Sequence, residues 1–122
     1  MLLAVGEHVL GQFPEVCKRM GTGFSGGLGG THQELCGALS GAVLVSSALL
    51  GRADTRGSDR PAMNVATLYR ARFLAKFGDT QCARLRERIK SPGGLGSCAV
   101  LVEQAAVLLL DLLEEITWPS ST

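Results

Sequence analysis

Aromatic residues make up only 5% of this 122-residue chain, and Val, Ile and Thr are thinly spread, which argues against a β-sandwich or barrel. An excess of charge of either sign is also missing. Twelve Lys and Arg face eleven Asp and Glu for a net charge of +1, so no overall field calls for a nucleic acid partner. No apolar run is long enough to cross a bilayer. The longest uncharged stretch, Leu35 to Leu50, has 16 residues, short of the ~20 that a spanning helix needs. The opening residues Met1 to His8 carry no basic run and reach an acid at Glu7, which is a poor match to a secretory signal. These absences lead us to expect a cytoplasmic protein with no membrane segment and no nucleic acid partner.

What is present is apolar material, at 46% hydrophobic residues with 16 glycines and four cysteines. That is ample for a core and excludes a disordered chain of low hydrophobicity and high charge. The turn signals divide it into about five helical stretches after an opening piece, Leu2 to Leu10, whose state the pattern leaves open. The first runs from Pro14, a residue suited to position N1, to Met20. The segment from Gly21 to Gly30 holds six glycines in ten positions and reads as a loop, since each would cost a helix about 1 kcal/mol against alanine.

The second helix is expected from Thr31 to Leu50. Thr31-His32-Gln33-Glu34 has the form of a capping box, and Gly51 follows the other end. A third opens at Pro61 and ends at Phe77-Gly78, with Val65, Leu68, Tyr69, Phe73, Leu74 and Phe77 as its apolar face. Asp79 caps a fourth, through Ile89. Ser97 caps the last, Cys98 to Ile116, whose inward face comprises Val102, Ala105, Ala106, Leu109, Leu112, Leu113 and Ile116. The expectation is an all-α helical bundle with a glycine-rich loop, one domain over 1–122. Small residues at Gly37/Gly41 and Ala38/Ala42 suit close helix approach, within one chain or across a homodimer.

Cys17, Cys36, Cys82 and Cys98 form no CxxC pair, which removes the zinc ribbon, thioredoxin and haem-attachment motifs. Three of them, Cys36, Cys82 and Cys98, fall near expected helix starts. Unpaired N–H groups and the helix dipole there favour the thiolate, the form that ligates metals and attacks disulfides. Four converging thiolates would make a metal or cluster site; two converging pairs would make a dithiol switch; scattered ones would be small packing groups. Cys36 and Cys98 are the first candidates for a dithiol pair. His32, four positions before Cys36, would share its helical face and could reach one metal ion with it.

Other motifs carry less. Gly21-Thr22-Gly23-Phe24-Ser25-Gly26 matches GxGxxG but lacks the strand and βαβ context of a dinucleotide site. Residues 60–90 hold eight bases against two acids, while residues 98–122 hold four acids and no base. The simplest reading is a solvated basic face partly offset by the acidic last helix; binding of phosphates or of an acidic redox partner is the other.

The order Cys17, glycine-rich loop, Leu35-Cys36-Gly37-Ala38-Leu39-Ser40-Gly41-Ala42, Phe77-Gly78-Asp79-Thr80-Gln81-Cys82, then Cys98 ahead of an Ala/Val/Leu helix resembles the putative redox-active proteins named for a C_GCAxxG_C_C pattern. The resemblance runs from Cys17 to Leu113. It departs at Leu35 and Gly37, where the family's name has Gly and Ala around the cysteine. It implies a helical redox protein with an iron–sulfur centre for electron transfer on Cys17, Cys36, Cys82 and Cys98. Some relatives look like selenoproteins, which implies direct thiol chemistry with a redox partner protein or a small thiol or disulfide.

Overall fold

Proline, glycine and polar clusters punctuate the chain, and the helices lie between them. The computed structural model describes residues 1–117; the last five positions of the expected 1–122 domain lie outside the described residues. Among these it has six α-helices and no strands: α1 Leu2–Leu10, α2 Glu15–Met20, α3 Gly37–Leu50, α4 Arg60–Phe77, α5 Cys82–Lys90 and α6 Cys98–Thr117, with a single 3-10 turn at Thr22–Phe24. The all-α expectation holds, and the opening piece left undecided is helix α1.

Local signals set most boundaries. Pro61 sits in the first turn of α4, and Gly78 closes it in the left-handed conformation at φ 86°, which a side chain would resist. The Ser97 hydroxyl accepts the Val100 N–H at 3.3 Å, capping α6 as expected. Pro14 precedes α2 as its N-cap rather than its first residue, a one-residue shift of the kind helix ends commonly show. Asp79 does not cap α5. Its Oδ1 accepts the N–H groups of Thr80 and Gln81 at 2.7 and 3.0 Å, forming a turn that delays the helix to Cys82.

The larger correction concerns α3, which starts at Gly37 with Cys36 as its N-cap, six residues after Thr31. The Thr31 hydroxyl instead donates to the carbonyls of Gly27 and Leu28 at 2.9 and 2.8 Å. His32 has a left-handed φ of 62°, which no helical first turn accommodates. His32 and Cys36 therefore share no helical face.

α3 is the centre of the bundle and packs against α1, α4 and α6, with α4 also against α6. Its small residues explain this position. Ala38, Gly41 and Ala42 are buried, and a Cβ on Gly41 would come within 3.0 Å of Met1 Cγ, so α1 approaches across a surface without side-chain relief. On α4, Val65, Tyr69, Phe73 and Phe77 are buried as expected, but Leu68 and Leu74 are exposed. On α6, Ala105, Leu109, Leu112 and Leu113 are buried, with Leu101 added to the expected set and Ile116 exposed. Tyr69 donates its hydroxyl to the Ala105 carbonyl at 2.7 Å, tying α4 to α6 through the core. Arg72 on α4 pairs with Glu115 on α6, so the acidic last helix does partly offset the basic one.

Phe73 has no exposed surface and stacks obliquely on Phe77, ring centroids 4.6 Å apart. Phe73→Ala should cost about 3–5 kcal/mol of unfolding free energy. Leu68→Ala should stay within about 0.5 kcal/mol. Urea titrations of the two variants check the assignment of the buried face.

Candidate functional site

The site is built where two segments far apart in sequence run antiparallel. Leu35 and Gln81 form an isolated bridge, flanked by the bonds Cys36 N–H to Thr80 C=O and Cys82 N–H to Glu34 C=O, both 2.9 Å. The pairing continues through Ala83 N–H to His32 C=O at 2.8 Å, and the Gln81 side-chain amide donates to the Gln33 carbonyl at 2.8 Å. In such a ladder Cys36 and Cys82 lie on one face as diagonal neighbours, on the order of 7–8 Å apart. From there each chain turns directly into a helix, with Cys36 at the N-cap of α3 and Cys82 the first residue of α5.

The glycine-rich loop closes over this junction. Gly27 is left-handed at φ 70°, and a Cβ there would meet Cys82 Cβ at 2.5 Å and His32 Cα at 2.9 Å. Only glycine lets the loop lie this close beneath Cys82. The loop backbone also receives the next segment, through His32 N–H to Gly26 C=O at 2.8 Å and Glu34 N–H to Gly27 C=O at 3.1 Å. The GxGxxG match thus ends at the glycine that receives His32, without the strand a dinucleotide fingerprint requires.

Cys36, Cys82 and Cys98 all line one open cavity of about 560 Å3. Each of the three stands at the start of a different helix. Cys17, half-buried on α2, is not among the lining residues, although its neighbours Lys18 and Gly21 are. Exposure is graded across the lining thiols: Cys82 is buried, Cys36 half-buried and Cys98 exposed. All four are free thiols. His32 Nδ1 lies 3.4 Å from Cys82 Sγ, so the histidine belongs beside Cys82 rather than Cys36.

Burial dominates the thiol electrostatics at two positions. It pushes the Cys36 thiol above its ordinary value, against the N–H groups of Ala38 and Leu39, and the neighbouring sulfurs of Cys82 and Cys98 add to the rise. It also pushes Cys82 up, opposed by the Arg86 guanidinium and reinforced by Cys98. The expectation that helix starts favour the thiolate is therefore corrected for these two. At Cys82 the reason is visible, since the first two N–H groups of α5 already serve the Glu34 and His32 carbonyls.

A family model described as putative redox-active protein (C_GCAxxG_C_C) matches residues 1–112. The chain belongs to this family. Searches of curated proteins and of solved structures returned no match. The C_GCAxxG_C_C pattern can be placed on the geometry. Gly37 occupies the family's Ala position, and a Cβ there would make only ordinary contacts, the nearest 3.5 Å from the Phe24 carbonyl oxygen. One turn on, the Ser40 hydroxyl turns back to the Cys36 carbonyl at 3.1 Å. The departures leave the placement of Cys36 intact.

Two lining residues were not singled out from the sequence, Lys18 and Arg86. Arg86 carried a signal, because it stands four positions after Cys82 and so one helical turn along the same face.

Because the folded state holds Cys36 and Cys82 protonated above the ordinary thiol value of 9.0, it binds more protons than the unfolded chain once pH passes that value. Stability should then fall as pH rises from about 9 through the folded values. Cys36→Ala should make that alkaline fall shallower, and denaturant titrations from about pH 8 to pH 10.5 measure it.

Proposed function

We propose that this redox-active protein works by thiol–disulfide exchange at the cavity, with Cys98 as the attacking thiol and Cys36 as the resolving one. The observation that supports the reading most is the opening of three free thiols from three helix starts into a single cavity. Cys98 meets solvent, and Cys36 is half-buried in the same cavity. The Cys98 thiolate attacks a substrate disulfide, joining one sulfur and releasing the other as a thiolate that takes up a proton. The Cys36 thiolate then attacks the Cys98 sulfur, releasing the second substrate thiol and leaving a Cys36–Cys98 disulfide. Two protein thiols are oxidised as one disulfide is reduced to two thiols. A dithiol or a partner protein reverses the step. Free thiols of this kind persist in a reducing compartment such as the cytoplasm. Among the described residues no helix is long and apolar enough to cross a membrane.

A metal or iron–sulfur centre for electron transfer is the second reading. Three sulfurs with His32 Nδ1 beside Cys82 form a soft N/S donor set of the kind zinc and iron–sulfur clusters take. For a single metal ion the groups stand too far apart. Among the described residues no three His, Cys, Asp or Glu groups stand close enough to hold one metal ion. Cys17, which the family resemblance would make the fourth ligand, is not at the cavity.

Anaerobic purification with iron, acid-labile sulfide and thiol assays separates the two. The exchange reading expects no stoichiometric iron or sulfide, and mild oxidation that consumes two thiols per chain as a Cys36–Cys98 link. Cys17→Ser should keep that paired loss, while Cys36→Ser and Cys98→Ser should abolish it. Stoichiometric iron and sulfide would replace exchange by the cluster reading. Thiols that resist oxidation in pairs would reduce the cysteines to packing groups.

A further inference from the structure

The walls of the thiol cavity carry charge of only one sign. Lys18 and Arg86 line it, and no carboxylate is among its described lining residues. The two cations are not equivalent. Lys18 is exposed and paired with Glu7 at 3.1 Å. Arg86 is half-buried and, among the described residues, has no ion-pair partner. A guanidinium at the cavity wall with no carboxylate partner keeps its hydrogen-bonding fork free for an anionic group. The starts of α3 and α6 at the same cavity add positive potential from their N-terminal dipoles. The cavity's 560 Å3 lies within the range of small-molecule sites. Gly21, Gly26, Gly37 and Gly41 contribute to the lining, so much of the wall is backbone that a ligand can approach closely.

We propose that the cavity takes a small disulfide bearing a carboxylate, that Arg86 is the residue selecting for this negative charge, and that the bound carboxylate orients the disulfide toward Cys98. The inference rests on the exchange reading above. Arg86 is suited to the task because its planar fork can take a carboxylate with two parallel hydrogen bonds. It is a turn along α5 from Cys82, and its charge acts on that sulfur.

The test uses the full-length reduced protein and three symmetrical disulfides: dithiodipropionate (anionic), 2-hydroxyethyl disulfide (neutral) and cystamine (cationic). Second-order rate constants for mixed-disulfide formation are each divided by the rate for free 2-mercaptoethanol, which removes the intrinsic reactivity of each probe. The expected result is a normalised preference for the anionic probe over the neutral one of about tenfold, with the cationic probe slowest. Arg86→Gln should reduce that anionic-to-neutral ratio toward one, and Lys18→Gln should reduce it less. Loss of ratio is the deciding readout. If Arg86 served only to activate a sulfur, Arg86→Gln would slow all three probes by one factor and leave the ratio intact, which overturns the proposal. Equal normalised rates for the three probes in the parent protein would also overturn it while leaving exchange standing. Failure of every probe to consume thiols would overturn exchange, and the selectivity with it.

Discussion

Two backbone hydrogen bonds, Cys36 N–H to Thr80 C=O and Cys82 N–H to Glu34 C=O, fix the relation between parts of the chain that local structure alone would leave independent. They set the register of residues 32–36 against 80–83, and register decides which side chains share a face. One residue of slip would place Cys36 and Cys82 on opposite sides of the pairing. Because α3 and α5 begin directly from this short ladder, their first turns inherit its geometry. The glycine-rich loop then completes the junction by receiving His32 and Glu34 on its own carbonyls. A helical bundle thus owes its functional corner to a fragment of β-type pairing.

That dependence explains which parts of the fold could be read from the sequence. Ser97 before α6, Pro61 in the first turn of α4 and Gly78 after it act through neighbours within a turn, so their local chemistry survives in the structure. Thr31 to Glu34 has equally good local chemistry for a cap and does not form one. Its N–H and C=O groups find partners in the loop before it and in α5, fifty positions later, and a capping-box pattern contains no information about either. Likewise, the α4 pattern identified the aromatic side chains that face inward. It overstated Leu68 and Leu74 because hydropathy does not reveal how wide a stripe the neighbouring helices cover.

The three cavity thiols were legible as residues near helix starts, but the electrical consequence was not. An N-terminal helix dipole and a low-dielectric surrounding act in opposite directions on a thiol. At Cys36 burial outweighs the N–H groups of Ala38 and Leu39. At Cys82 two N–H groups are already committed to carbonyls, and Arg86 offsets burial only in part. Burial depends on tertiary packing, so no reading of helix position could have assigned the sign. Arg86 was passed over for a different reason: it is one of eight bases between residues 60 and 90, and its spacing from Cys82 was not weighed among them.

Raised thiol values have a thermodynamic meaning for an exchange site. Strongly oxidising dithiols are those whose reduced form is stabilised, typically because a thiolate is held by positive charge or helix N–H groups. Burial withholds that stabilisation from Cys36, so this thiol adds little to the stability of the reduced form by ionising near neutral pH. In the proposed exchange, burial of Cys36 favours giving electrons to a disulfide over imposing one on a partner. The same burial slows attack by Cys36 until its proton leaves, whereas Cys98 remains open to solvent. In the proposed exchange this difference in exposure separates the two roles: the exposed sulfur would make the first contact, and the shielded one would act once a mixed disulfide had formed.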